Sequence, residues 1–361
     1  LIPLSPVYGA VTSIRNKMYD SGKLKSTEFN KPVIVVGNLT TGGTGKTPHT
    51  EMLLDLFNAE RVRAAVLSRG YKRQTHDLLE VTTEHSSAEV GDEPKQIKLK
   101  HANNLVVVNK DRVQGIQYIL EKHPEIKTII MDDGFQHRAV KPGLSILLID
   151  HKDLEKKDFL LPAGNLRESK KGMERADIII VTKTPEFFSP MEKRHCRELI
   201  DPTKDKKVFF TYMKYGGLYS VVDNGKPSLF DKEYYKERDY SILLVTGIAN
   251  ATPLVDHLKK DFKKVEHLAF KDHYSYSPKD VQKIVDTYKN MPGENKIVLT
   301  TEKDAMRLMY PSLKDIYKEI PLFFISIEAW FHHDEYKTFK SGILDYVRAN
   351  TAGITIPKAT I

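Results

Sequence analysis

The stretch from Val33 to Pro48 constrains this chain more than any other. Four β-branched residues, Val33-Ile34-Val35-Val36, read as a buried strand, and Gly37-Asn38-Leu39-Thr40-Thr41-Gly42-Gly43-Thr44-Gly45-Lys46-Thr47-Pro48 follows at once. Gly42, Gly43 and Gly45 let backbone N–H groups turn inward without a Cβ in the way. Lys46 adds a full positive charge. Pro48, in the first turn of the next helix, lacks an N–H that would have had no helical partner, and the helix N-terminus adds its own partial positive charge. Strand, glycine turn and helix start together predict a cradle for a polyanion.

The order Gly-Lys-Thr fits the Walker A pattern, with Thr40 standing where that pattern has its first Gly. A nucleoside triphosphate is thus expected against Thr40, Thr41, Gly42, Gly43, Thr44, Gly45, Lys46 and Thr47. Lys46 is suited to the β- and γ-phosphates, and the Thr47 hydroxyl to Mg²⁺. A second strand, Thr128-Ile129-Ile130-Met131, ends in Asp132-Asp133. An acid at the carboxyl end of an apolar strand beside the phosphate loop is what metal coordination there requires, so Asp132 and Asp133 are the candidate metal ligands beside Thr47. A guanine reader is disfavoured. Asn109-Lys110-Asp111-Arg112 carries its acid one position early and Thr182-Lys183-Thr184-Pro185 carries none, so ATP is expected.

Composition narrows the class. The 361 residues are 40% hydrophobic and 29% charged, enough apolar material for a core, and the length suits two domains. No run approaches the ~18 apolar residues of a membrane-spanning helix. Cys196 is the one cysteine, which excludes an intrachain disulfide and a cysteine-ligated zinc site. The reading is a soluble or membrane-surface protein inside the cell. The formal charge of +8 is spread over Lys23–Lys31, Lys152–Lys157, Lys204–Lys207 and Lys259–Lys264. It forms no basic arm and no nucleic-acid-binding pattern, so no nucleic-acid partner is expected; an anionic lipid or phosphorylated substrate fits better.

Short apolar runs alternate with helical patterns. Strands are expected at Pro32–Val36, Ala64–Leu67, Leu105–Val108, Lys127–Met131, Ser145–Ile149 and Asp177–Val181, with helices such as Thr47–Phe57 and Asp111–Lys122 between them. Continuously apolar strands separated by helices indicate an α/β fold with a mainly parallel sheet buried on both faces. Val208–Lys214 and Leu218–Val222, joined at Gly216-Gly217, read as a β-hairpin hinge near 208–222. A second α/β series follows, with strands Ser241–Thr246, Val265–Phe270, Lys296–Thr300 and Leu322–Ile327. The expected organisation is a helix over 1–20 belonging to the first domain, a nucleotide-binding domain over 21–206, and a smaller α/β domain over 207–361. In the N-terminal helix, Leu4, Val7, Tyr8, Val11, Ile14 and Met18 recur at helical spacing. Two readings stay open: packing on its own domain, or lying on a bilayer surface.

Other segments carry reactive side chains at strand ends or tight turns. Ser68-Arg69-Gly70-Tyr71 follows the second strand. Gly91-Asp92-Glu93-Pro94 reads as an acidic helix start, and Leu166-Arg167-Glu168 offers a phosphate clamp or a plain ion pair. Phe270-Lys271-Asp272-His273-Tyr274 and Thr301-Glu302-Lys303-Asp304 end strands in the second half.

Taken with Asp132-Asp133-Gly134-Phe135-Gln136-His137, these segments span residues 37 to 304 and resemble the tetraacyldisaccharide 4′-kinase (lipid A 4′-kinase) family. The resemblance implies a P-loop NTPase-like fold and transfer of the ATP γ-phosphoryl group to the 4′-hydroxyl of a tetraacylated glucosamine disaccharide 1-phosphate. It implies that Lys46 and Thr47 bind ATP and Mg²⁺, and that Asp92 and His273 act as a pair on the acceptor hydroxyl. Asp132, Asp133, Gln136, Arg167 and Glu168 would line the metal and phosphate site, and Arg69 would add positive charge. It further implies a peripheral enzyme on the cytoplasmic face of a Gram-negative inner membrane, acting on an acylated lipid without an obligatory protein partner. Two other outcomes use the same loop: an ATPase switch, and a kinase of a soluble sugar or cofactor precursor.

Overall fold

The structure is a computed structural model that describes residues 3–202, 206–223, 226, 228, 231–333 and 335–351. The tail Gly353–Ile361 and the first half of the Lys204–Lys207 run lie outside the described residues. In chain order the first half contains α1 (Leu4–Asp20), β1 (Val33–Asn38), α2 (Lys46–Ala59), β2 (Ala64–Ser68), β3 (Leu79–Glu80), α3 (Ser87–Val90), α4 (Asp92–Lys100) and β4 (Leu105–Val108). It continues with α5 (Arg112–Lys122), β5 (Thr128–Asp132), β6 (Leu144–Asp150), β7 (Ile178–Thr182) and α6 (Pro190–Ile200). The second half contains β8 (Lys207–Ser220), α7 (Lys232–Glu237), β9 (Ser241–Thr246), α8 (Thr252–Asp261), β10 (Val265–Ala269) and α9 (Pro278–Asn290). It ends with β11 (Lys296–Thr301), α10 (Glu302–Leu308), α11 (Pro311–Tyr317), β12 (Leu322–Phe331) and α12 (Glu335–Thr351).

The described strands form one twelve-stranded sheet in the order β10-β9-β11-β12-β8-β7-β6-β1-β5-β2-β4-β3. Its pairings are parallel except β3 with β4 and β8 with β12. Every residue of β1, β2, β5 and β7 is buried, as expected of central strands covered on both faces. Alternate residues serve opposite layers: Ile34, Val36 and Ile130 pack with Leu53, Leu54 and Phe57 of α2. Val33, Val35 and Ile129 pack with Ile116 and Ile119 of α5. The second half has its own two layers, around Val245, Ile284 and Val298 on one side and Ile242, Leu244 and Leu258 on the other. The α/β fold class stands.

The expected hairpin does not form. Val208–Lys214 and Leu218–Ser220 are parts of the single strand β8, with no turn between them. Its start, Lys207–Phe210, runs parallel to β7, and its remainder runs antiparallel to β12. Gly216-Gly217 marks a register shift: Tyr215 faces Ile327 but Leu218 faces Ile325. A Cβ on Gly216 would collide with Ser326 Oγ, so the glycine serves a close strand approach, not a reversal. The chain also returns to its first half at the end, because Phe339, Ile343 and Leu344 of α12 pack with the α2 layer.

α1 inverts the usual amphipathic arrangement. Its buried residues are Ser5 and Gly9, and a Cβ on Gly9 would lie 2.6 Å from Leu160 Cδ1. The apolar stripe points outward, with Leu4, Val7, Val11 and Ile14 at 57, 61, 60 and 60% exposure. Polar contacts hold the helix instead: Ser5 Oγ donates to Leu160 O (2.7 Å), Tyr8 OH to Arg167 O (3.0 Å) and Asn16 Nδ2 to Glu168 Oε2 (3.0 Å). No helix among the described residues is long and apolar enough to cross a membrane.

Where α2, α4 and α10 meet, Lys100 Nζ lies 2.7 Å from Glu51 Oε2 and 2.8 Å from Glu302 Oε1. Gln96 Nε2 donates to both acids, at 2.9 and 3.1 Å. Burial pushes the Glu51 carboxyl up to about 8, opposed by Lys100 and reinforced by Glu302. Removing the ammonium leaves two buried carboxylates facing each other. Lys100→Met is therefore expected to cost about 3 kcal/mol or more at neutral pH, read as a fall in thermal midpoint. The loss should deepen as pH rises, and Glu51→Gln in the same chain should recover part of it.

Candidate active site

The phosphate loop is built by two neighbours. β1 delivers the chain to the edge of the sheet, and the segment Asn165–Arg167 pairs across it. Thr41 N donates to Asn165 O and Arg167 N to Leu39 O, both at 2.7 Å, and Thr40 bridges to Leu166. Gly42 (φ +109°) and Gly45 (φ +87°) adopt left-handed backbone, which is why glycine stands there. A Cβ on Gly42 or Gly43 would meet nothing within 4 Å, so the loop opens on free space. Thr44 is 3% exposed, yet its Oγ1 finds no hydrogen-bond partner among the described residues. Lys46 Nζ donates to Asn38 Oδ1 (3.2 Å) and lies 3.7 Å from Asp133 Oδ1. Burial lowers its ammonium below the ordinary lysine value, against the pull of Asp133. An underpartnered cation beside open glycines suits a polyphosphate.

Asp132 and Asp133 are adjacent but live in different surroundings. Val36 of β1 pairs with Asp132, which sets this carboxylate beside the loop. Asp132 is 3% exposed and accepts from Thr50 Oγ1 at 3.2 Å. Burial, with Asp133 and Glu93 nearby, pushes its carboxyl up to about 6. Asp133 turns away through a left-handed backbone (φ 49°) and accepts from Arg167 Nη1 at 2.8 and 3.1 Å. Burial opposes its charge, but Lys46 and Arg167 prevail and hold it below the usual carboxylate range. Thr47, 5% exposed, opens α2 on the same side. One hydroxyl and two carboxylates are oxygen donors of the kind that would suit Mg²⁺.

Gln136 and Glu168 form the brace behind Arg167. Gln136 Nε2 donates to Asn38 O (2.8 Å) and Glu168 Oε1 (3.0 Å). Glu168 also receives Asn16 and Arg175. Arg69 is exposed at the end of β2 and has no hydrogen bond or ion pair among the described residues.

The other wall comes from α4 and the second half. A Cβ on Gly91 (φ +96°) would lie 3.0 Å from Gly70 Cα, so this glycine lets the Arg69–Tyr71 turn approach the start of α4. Asp92 opens α4, and His273, also left-handed at φ 56°, brings Nδ1 to 4.0 Å from Asp92 Oδ2. The pair expected from the sequence is thus brought together but not hydrogen-bonded. Arg307 stands between them, donating to Asp92 Oδ2 from Nε (2.8 Å) and Nη2 (2.6 Å), and reaching His273 Nδ1 from Nη2 (3.1 Å). Lys303 pairs with Glu93 at 2.8 Å.

Sequence reasoning missed Thr50, Arg112 and Arg307. Thr50 sits three residues beyond Thr47 on α2, and Arg307 three beyond Asp304 on α10; both are one helical turn from a residue the sequence singles out. Arg112 is 2% exposed beside the two aspartates, with Nε and Nη2 unpartnered among the described residues. Its only signal was its position at the start of α5, four residues beyond β4.

Asp132 makes a testable cost. A carboxyl raised in the folded state binds its proton more tightly there, so stability falls as pH rises from about 4 to about 6 and stays reduced above. That difference corresponds to about 3 kcal/mol at most. Asp132→Asn, which mimics the protonated form, should raise the thermal midpoint at pH 7.5 and lose most of that advantage at pH 4.5.

Comparison with known proteins agrees with this architecture. The family model for tetraacyldisaccharide-1-P 4′-kinase (LpxK) matches residues 1–347. A tetraacyldisaccharide 4′-kinase of Bacteroides thetaiotaomicron is 40% identical over 357 residues, covering 97% of this chain and 93% of the relative. That of Flavobacterium johnsoniae is 40% identical over 351 residues, covering 97% of each. The crystal structure of "apo" form LpxK from Aquifex aeolicus in complex with ATP matches with a TM-score of 0.74 at 31% identity, over 96% of this chain and 98% of that one. The chain belongs to the tetraacyldisaccharide 4′-kinase family.

Proposed function

We propose that this chain transfers the γ-phosphoryl group of ATP to the 4′-hydroxyl of a tetraacylated glucosamine disaccharide 1-phosphate. The carrying observation is the convergence of Lys46, Asp133 and Arg167 at the open glycine loop, with Asp132 beside them. Phosphoryl transfer needs alignment and charge neutralisation more than covalent assistance, and this set supplies both. Thr47 and one of the aspartates would hold Mg²⁺, which when bound screens the β- and γ-phosphate oxygens. Lys46 and the loop N–H groups grip the phosphates. Arg167, held by its backbone to Leu39 and by its side chain to Asp133, offers a fixed guanidinium to the transferring group. Arg69 has free donors for substrate phosphate.

Asp92 and His273 act on the acceptor hydroxyl, a weak nucleophile that benefits from a nearby proton acceptor. They stand on α4 and on the loop after β10, so the reading makes residues 207–361 a unit that closes over the nucleotide-binding unit 21–206. Closure would exclude water and favour sugar over water as acceptor. The outward aliphatic face of α1 supports attachment to the cytoplasmic face of the inner membrane, where an acylated substrate resides.

Two measurements test this. With labelled ATP and a monophosphorylated acyl-disaccharide, the label is expected on the 4′-hydroxyl. Hydrolysis without acceptor would favour the ATPase switch, and indifference to acylation a soluble-sugar kinase. Asp92→Ala and His273→Ala should each lower kcat by about 10²-fold or more while ATP affinity stays within about twofold; unchanged turnover removes that residue from the mechanism. Replacing Val7, Val11 and Ile14 by Ser should release the protein from anionic vesicles, since each aliphatic side chain buried in lipid contributes about 1.5 kcal/mol or more.

A further inference from the structure

We infer that Arg307 is a positioning residue that fixes the protonation pattern of His273 and the free oxygen of Asp92. The inference rests on the proposed role of that pair. It deepens that role by separating two groups that would otherwise share one proton.

A guanidinium has five N–H groups and no acceptor. In Arg307 all five have partners: Nε and Nη2 on Asp92 Oδ2, Nη2 also on His273 Nδ1, and Nη1 on Asp304 Oδ1 (3.2 Å) and Gly247 O (3.3 Å). The side chain is 6% exposed. Asp304 is itself fixed, accepting from Gly247 N (2.9 Å) and Thr301 Oγ1 (2.7 Å). The guanidinium is therefore anchored to the second half from behind and cannot swing away from the pair without breaking these bonds.

Because Arg307 can only donate, His273 Nδ1 must accept. The neutral imidazole then carries its proton on Nε2. A proton on Nδ1 would face a guanidinium N–H at 3.1 Å, which is repulsive. Among the described residues neither His273 Nε2 nor Asp92 Oδ1 has a hydrogen bond, so these two atoms are left for the acceptor. The division of labour follows. Asp92 Oδ1 takes the hydroxyl proton as the O–H bond breaks; the oxygen's electron pair forms the new bond to the γ-phosphorus, and the bridging bond breaks toward ADP. His273 Nε2–H donates a hydrogen bond and does not remove a proton. The groups around His273 are Asp92 and Glu93 from α4, Lys303 and Arg307 from α10, its neighbour Asp272, and Tyr71 and Lys72 after β2, with the Tyr71 ring edge-on to the imidazole. Burial and the cations among these hold the imidazole below its ordinary value, in keeping with a neutral ring.

The test reads the ring directly. Nitrogen-15 NMR of the histidine-labelled full chain at pH 7.5, assigned by His273→Gln, should show His273 protonated at Nε2 and bare at Nδ1. A protonated Nδ1 overturns the inference, and this measurement needs no Arg307 variant to fold. In Arg307→Met the Nδ1 signal should move toward the protonated form. The acid limb of the kcat–pH profile should shift to higher pH, and kcat should fall about tenfold or more with KM for ATP within about twofold. Arg307→Lys, which keeps the charge, should keep the acid limb near that of the unaltered protein. A folded Arg307→Met with unchanged kcat and unchanged profile also overturns the inference. Full turnover in Asp92→Ala or His273→Ala would instead sink the acceptor-site reading, while the ring assignment would stand.

Discussion

A carboxylate is costly to bury without a counter-charge, and that constraint organises the cleft. Asp133 is met by Lys46 and Arg167, Glu168 by Arg175, Asp92 by Arg307, Glu93 by Lys303, and Glu51 with Glu302 by Lys100. Three of these sets run between α4 in the first half and α10 in the second. α4 thus carries at its start the acid proposed to meet the acceptor, and along its length the ion pairs that join the halves. Asp132 is the exception. It has one hydroxyl donor and no ion pair among the described residues, and burial raises its carboxyl to about 6. The acid least satisfied by the protein is one that a metal ion would satisfy.

Much of the fold was legible because its signals are local. Buried parallel strands announce themselves as unbroken Val/Ile/Leu runs, and the loop at Gly42–Thr47 is dictated by backbone sterics. β8 was not legible as one strand, because a glycine pair signals a reversal or a bulge equally well, and only the partner strand decides. Gly216 faces Ser326, a residue more than a hundred positions away. The site followed the same division. Asp132, Asp133 and Lys46 follow from strand ends and spacing. Arg307 does not, because its importance lies in where it stands between two other groups. The outward stripe of α1 illustrates the limit in another way: periodicity finds an apolar face but not what covers it.

Two of the residues assigned to chemistry, Asp133 and His273, hold left-handed backbone that costs non-glycine residues about 1 kcal/mol or more each. Both residues lie just beyond a strand, Asp133 directly after β5 and His273 in the turn after β10, and both side chains meet an arginine. The Arg167 and Arg307 contacts over-determine these geometries, which is the condition under which such strain persists.

The inverted packing of α1 has a mechanical consequence. Asn16 Nδ2 holds Glu168, Glu168 receives Gln136, and Gln136 Nε2 grips the carbonyl of Asn38 at the base of the phosphate cradle. Three successive hydrogen bonds connect α1 to the base of the phosphate loop. Any fusion, trimming or re-seating of that first helix alters the support beneath the phosphate loop, so what reads as a peripheral attachment is also a strut of that loop.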